Sequence, residues 1–183
     1  MAPIAPEWRA TEDLMPPLLT TDNCQPTSEA KLADAAHALE RILALARPLV
    51  FTNGVFDILH RGHVTYLEQA KALGASLVVA VNSDPSARRL GKSAERPINT
   101  LDDRMAVLAA LASVDLVVPF DTDTPLDLII GCAPDVLVKG GDYSLATTVG
   151  AAEVLARGGR FVAIPFVYER STTALVKKIR DAD

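Results

Sequence analysis

LVFTNGVFDILHRGHVTYLEQAKALGASLVVAVN, residues 49–82, begins and ends on short apolar runs and carries three glycines and two histidines between them. The runs at 49–53 and 76–82 have the length and the Val and Leu content of buried strands, whereas apolar residues from about 62 to 73 recur at helical spacing. Two strands joined through a helix are parallel neighbours, because parallel pairing requires a crossover connection. The alternation continues downstream. Strands are predicted at 115–120, 135–139 and 160–165, helices near 101–111, 125–131, 148–157 and 172–179, and a loop after the strand at 76–82. The expected fold is α/β: a Rossmann-like, doubly wound, five-stranded parallel sheet.

Upstream, Ser28 is placed to cap a segment in which Leu32, Ala36, Leu39, Leu43 and Ala46 recur at helical spacing until Pro48 interrupts. A leading helix over 28–47 is therefore expected beside the sheet, within one domain spanning 28–183. Residues 1–27 hold five of the 12 prolines and no sustained periodicity, which predicts an irregular N-terminal arm.

Of the 183 residues, 49% are hydrophobic but only 5% aromatic, the balance of aliphatic strands covered by helices. A net charge of −5 opposes broad nucleic-acid binding, while leaving room for a local basic pocket that takes one small anion. Cys24 and Cys132 fit no metal-ligand spacing and read as thiols of a reducing compartment. The N-terminus lacks the pattern of a signal peptide, and no apolar run reaches the roughly 18 residues needed to span a bilayer. The expectation is a soluble cytoplasmic protein without membrane insertion, assembled as a homo-oligomer, most simply a dimer.

In doubly wound sheets ligands bind beyond the carboxyl ends of the strands. There the first strand runs into Thr52, Asn53 and Gly54, the glycine permitting a sharp turn and close backbone approach. Neither GxGxxG nor GxxxxGK[ST] is present. His60 and His63 straddle Arg61 and Gly62 where a helix begins, and three uses remain open. They could be buried structural histidines, a phosphate-facing pair at a helix N-terminus, or half of a zinc site, for which the only other histidine is the distant His37.

The segment from Gly54 to His63, G-x-F-D-x-x-H-x-G-H, resembles the signature of the HIGH-motif nucleotidyltransferases, which include cytidylyltransferases and small adenylyltransferases. Ser171, Thr172 and Thr173 resemble the second motif of that superfamily. Within it, "FTNGVFDILHRGHVTYLEQAKALG", "VAVNSD", "RPIN", "DTDTP", "DVLVKGGDY" and "STTALVKKI" are most similar to the D-glycero-β-D-manno-heptose 1-phosphate adenylyltransferases in their stand-alone form. The resemblance covers about residues 30–183 and leaves the arm aside. It implies adenylyl transfer from ATP, with Mg²⁺, to a sugar 1-phosphate, giving ADP-heptose for lipopolysaccharide cores.

The resemblance also implies roles. His60, His63 and Lys92 become the catalytic candidates. Thr52, Asn53, Gly54, Phe56, Asp57, Arg104, Lys139, Gly140, Gly141, Asp142, Ser171, Thr172 and Thr173 would line the nucleotide and phosphates. Asn82, Asp84, Arg88, Arg96, Tyr143 and Arg170 are weaker candidates. No protein-only metal site is implied; Asp57 either fixes its loop or touches Mg²⁺ that arrives with ATP, and Arg104 either meets phosphate or pairs with Asp102 or Asp103. Phe166 after Pro165, and Glu169 where the glycerol 3-phosphate cytidylyltransferases have glycine, depart from those relatives. Transfer to another small phosphate such as glycerol 3-phosphate, and a non-catalytic nucleotide-binding protein, remain the alternatives.

Overall fold

A computed structural model describes residues 27–91, 96–141, 143–165, 167, 168, 175, 178, 179 and 181. The strands are β1 (Leu49–Gly54), β2 (Ser76–Asn82), β3 (Leu116–Phe120), β4 (Val136–Gly140) and β5 (Arg160–Ile164). The helices are α1 (Ala38–Leu43), α2 (Arg61–Lys71), α3 (Asp84–Arg89), α4 (Leu101–Ala109), α5 (Leu126–Cys132) and α6 (Ala151–Ala156). All strand pairs are parallel, in the order β3-β2-β1-β4-β5, as expected of a doubly wound sheet.

Period-two alternation sorts each strand onto two cores. Val50, Val79, Val117 and Val138 face Tyr66, Leu67 and Ala70 of α2 and Met105 and Leu108 of α4. Leu49, Phe51, Val78, Val118 and Leu137 face Ala38 and Ile42 of α1, Ile129 of α5 and Val154 of α6. Burial on both faces explains why these strands read as unbroken apolar runs.

Chain order reverses between β1 and β4, and there the pairing is short. β1 matches β2 along its whole length, Leu49↔Ser76 to Gly54↔Val81, but matches β4 only at Val50↔Val136 and Phe51↔Leu137. Both strands run on past that point, so a crevice opens between their carboxyl ends.

The leading helix needs correction. Residues 28–47 do not form one helix: a single 3-10 turn, Glu29–Lys31, gives way to extended backbone, and α1 starts only at Ala38. Leu32 bridges Val117, and Ala33 N–H donates to the Val117 carbonyl at 3.0 Å, so this edge strand captures the backbone that a helix would use. Asp34 then accepts from the His37 N–H at 2.9 Å and starts the next turn. The loop expected after β2 is instead α3, begun by Ser83, whose side chain accepts from Ser86 N–H. The helix expected near 148–157 divides into a 3-10 turn, Leu145–Thr147, and α6. Gly150 separates them at φ 84°, where a Cβ would come within 2.6 Å of Ile129 Cδ1. Of the helix expected at 172–179, residues 175, 178 and 179 are described, and they are helical. The arm at 1–26 and Cys24 lie outside the described residues; Cys132 is a buried thiol. No helix among the described residues is long and apolar enough to cross a membrane.

Candidate active site

β1 carries Asn53 and Gly54 to the mouth of the crevice, and the chain turns at Phe56, not at Gly54. Phe56 has φ 48°, whereas Gly54 completes the strand and is absent from the positive-φ positions. What Gly54 supplies is room: a Cβ there would lie 3.1 Å from the Phe56 ring. That ring meets His63 edge-on, with centroids 5.4 Å apart. His60 stays extended, one residue before α2, while its carbonyl accepts the first helical N–H groups from His63 and Val64. The two imidazoles stack with centroids 3.9 Å apart and planes 19° from parallel. Gly62 makes this possible, since a Cβ would press on the His60 ring at 3.1 Å and on the Tyr168 carbonyl at 3.3 Å.

Burial lowers the pKa of His60, and burial, then the His60 charge, lowers that of His63 from 6.5 to about 4. Both rings are thus neutral near pH 7, each with one N–H to donate. The linkage sign follows: below pH 6.5 the unfolded chain takes up the His63 proton before the folded one does. Stability from this group is full above pH 6.5 and is lost as pH falls from 6.5 toward about 4. Thermal melts are expected to show a smaller drop in Tm over that window for His63→Gln than for the unaltered protein.

Across the crevice, Lys139 Nζ donates to Asn53 Oδ1 at 2.5 Å and to the Asn53 carbonyl at 3.1 Å, linking β4 to β1 where their backbones no longer pair. Burial lowers its pKa to about 8, which leaves it largely cationic at pH 7, 5.6 Å from the Tyr143 ring. Gly140 ends β4, and Gly141 turns at φ 89°. The carboxyl ends therefore gather a lysine, two neutral histidines, an asparagine and a close-approach glycine, an arrangement suited to holding a polyphosphate.

The family model described as cytidylyltransferase-like matches residues 51–175, the span that contains all of these groups. The chain belongs to this family. It is 60% identical over 154 residues to the D-beta-D-heptose 1-phosphate adenylyltransferase of Bordetella bronchiseptica, covering 83% of this chain and 95% of that protein. It is 55% identical over 144 residues to the bifunctional protein HldE of Shewanella sp. W3-18-1, spanning 79% of this chain but only 30% of that longer protein. Among solved structures it resembles the lipopolysaccharide core biosynthesis protein of Thermoplasma volcanium, with TM-score 0.54 and 30% identity over 67% of this chain and 98% of that one. Thermus thermophilus pantothenate synthetase, at 18% identity and TM-score 0.54 over 76% of this chain and 63% of that one, shares the fold.

Several cytidylyltransferase-like motif residues turn inward instead of lining the crevice. Thr52 is fully buried, and its hydroxyl lies 2.5 Å from that of Tyr66, so its side chain does not line the phosphate approach. Arg104 is buried and does not pair with Asp102 or Asp103. Its guanidinium donates to the carbonyls of Val55 (2.6 Å), Asn82 (2.9 Å) and Asn99 (3.1 Å) and to Asp84 (2.7 Å). Asp84 and Asn82 are engaged there too, Asn82 also donating to Ser86 Oγ at 2.9 Å. Asp57 acts as a tether: Oδ1 accepts the N–H groups of Ile98 (2.8 Å) and Asn99 (3.0 Å), and Oδ2 lies 3.9 Å from Arg96 Nε. The loop engages Oδ1, while Oδ2 is buried without a hydrogen-bond partner among the described residues, so the tether is Asp57's observed role. No group of three His, Cys, Asp or Glu that could hold a metal occurs among the described residues.

Arg88 is exposed in the last turn of α3, and Tyr143 is half-exposed. Lys92, Asp142, Arg170, Ser171, Thr172 and Thr173 lie outside the described residues. The approach to the second motif is nevertheless visible, because the Arg61 guanidinium sits 3.8 Å over the Tyr168 ring beside the start of α2.

Tyr66 was not anticipated. Its hydroxyl joins Thr52 of β1 and the Val138 carbonyl of β4 at 3.3 Å, bracing the two strands beyond their last backbone pair. Burial raises its pKa and keeps the phenol protonated. The available signal was a tyrosine among the inward aliphatic positions of α2, since a buried phenol needs a partner. Tyr66→Phe is expected to cost about 1–2 kcal/mol in urea denaturation. Adding Thr52→Val should cost less than the sum of the two single changes, because the pair is then removed together.

Proposed function

We propose that this chain transfers the adenylyl group of ATP to D-glycero-β-D-manno-heptose 1-phosphate, releasing pyrophosphate and giving ADP-heptose for the lipopolysaccharide core. The observation that carries this reading is the 60% identity across 95% of the Bordetella heptose 1-phosphate adenylyltransferase. The site chemistry supports it. A sugar phosphate oxygen is already anionic at neutral pH, so attack on the α-phosphorus requires no general base. Positioning and charge stabilisation are what the protein must supply.

His60 and His63 donate imidazole N–H groups to the α-phosphoryl oxygens, whose charge grows in the transition state. Lys139 adds a cation at the crevice wall, exchanging its bonds to Asn53 for phosphate oxygens. Gly54 and Phe56 shape the approach. Lys92, Asp142, Ser171, Thr172 and Thr173, with the weaker candidate Arg170, are assigned to the nucleotide and its phosphates on their motifs. Mg²⁺ enters with ATP and neutralises its phosphates. The reading includes a homodimer acting in the cytoplasm, with the exposed apolar Leu145, Val149 and Leu155 on and beside α6 available for subunit contact.

A substrate panel tests the reading. With Mg²⁺ present, pyrophosphate release is expected from ATP with heptose 1-phosphate, and little from CTP with glycerol 3-phosphate. The reverse preference would replace the proposal with a cytidylyltransferase.

A further inference from the structure

At the opposite edge of the sheet, where β1, β4 and β5 begin, a cavity of about 370 Å³ is lined by Arg47, Asp135, Arg157, Gly158, Gly159 and Arg160, among others. The lining thus includes three arginines and one aspartate in a chain whose net charge is −5. Two of the arginines, though partly exposed, are held by hydrogen bonds to backbone carbonyls. Arg47 Nε lies 3.0 Å from Asp135 Oδ2, and its terminal nitrogens donate to the carbonyls of Cys132 (3.5 Å) and Ala133 (2.5 Å). Arg157 donates to the Ile130 carbonyl at 2.7 Å. The Arg160 guanidinium has no hydrogen bond or ion pair among the described residues, although its backbone is fixed by β5 pairing and by an N–H bond to the Asp135 carbonyl at 2.8 Å.

The floor is built for approach. Gly158 turns at φ 82° with nothing within 4 Å of where a Cβ would stand, so its backbone is open. Gly159 has no such space: a Cβ would meet Val154 Cγ1 at 2.6 Å and the Asp135 carbonyl at 3.0 Å, which holds the turn tight beneath the arginines.

We infer that this pocket is a second anion site, which takes inorganic phosphate or pyrophosphate away from the crevice. Planar guanidinium groups match phosphoryl oxygens in paired hydrogen bonds, and fixed ones lose little freedom on binding. Asp135 is already engaged by Arg47 and by the Leu49 N–H at 2.6 Å, so Arg157 and Arg160 supply the uncompensated charge. The pocket lies at the amino ends of the strands, and the adenylyl-transfer crevice at the carboxyl ends. An anion can therefore occupy it while substrates occupy the crevice.

Amide NMR of the ¹⁵N-labelled full chain tests this, with pyrophosphate and inorganic phosphate titrated separately at low ionic strength. Saturable shifts are expected at Gly158, Gly159 and Arg160, and the tighter of the two probes identifies the preferred anion. In Arg157→Gln/Arg160→Gln the dissociation constant should rise at least tenfold. Arg160→Gln alone, which removes no hydrogen bond or ion pair among the described residues, should weaken binding in the same direction while leaving the spectrum folded. Shifts that fail to saturate, that neither variant changes, or that are confined to residues 53–63 would overturn the inference.

Discussion

Pyrophosphate release by His63→Ala is expected to fall by about 10²–10³-fold, the size of effect that follows loss of one positioned donor to a developing charge. The ring is held for that task by the edge-on Phe56 contact and the stack on His60. Its pKa near 4 means that it works as a neutral donor, so the loss should be the same at pH 7 and pH 8. A general base would give a different signature, with activity following its titration. Because His60 and His63 are stacked and would serve the same phosphoryl group, the double alanine variant should lose less than the product of the single losses. Steady-state assays alongside circular dichroism check both points: kcat falls while the folded spectrum is retained.

Arg104→Ala should do the opposite, acting on stability first. Four protein acceptors surround a guanidinium that is 2% exposed, and removing it leaves Asp84 and three carbonyls short of their donor. Breaking a buried pair in this way costs about 3–5 kcal/mol. The loss should appear as a lower urea midpoint with little change in slope. Activity measured well below that midpoint should fall less than in His63→Ala. Arg104 holds Val55 and Asn99, so its effect on the site is expected to run through the loops it fixes. A variant as stable as the unaltered protein but unable to bind ATP would restore Arg104 to the phosphates.

These two residues mark what was legible in the sequence. The strands were visible because burial on both faces makes them continuous apolar runs, and the H-x-G-H stretch because glycine between two histidines at a helix start has few structural reasons to exist. Orientation was harder. A polar residue at a strand end looks the same in sequence whether it faces ligand or core, and Thr52 was placed on the wrong side. Strand alternation contains the correction, since Thr52 shares parity with Val50, which faces α2, and there it meets Tyr66. Arg104 was hard to place for a similar reason: sequence offers Asp102 and Asp103 as near neighbours, whereas its partners are Asp84 and three backbone carbonyls brought together by the fold. The short α3 has too few residues for periodicity, although Ser83 followed by Asp84 and Pro85 is a start signal. The leading helix failed because its apolar period is equally satisfied by a 3-10 turn, an edge-strand bridge and a short helix.

The most direct measurement is the ³¹P NMR spectrum of ATP, Mg²⁺ and D-glycero-β-D-manno-heptose 1-phosphate incubated with the purified chain. The predicted result is ADP-heptose and pyrophosphate appearing in equal amounts, with the sugar 1-phosphate signal consumed in step. A spectrum in which ATP and the sugar phosphate persist unchanged, while CTP and glycerol 3-phosphate are turned over by the same preparation, would contradict the account.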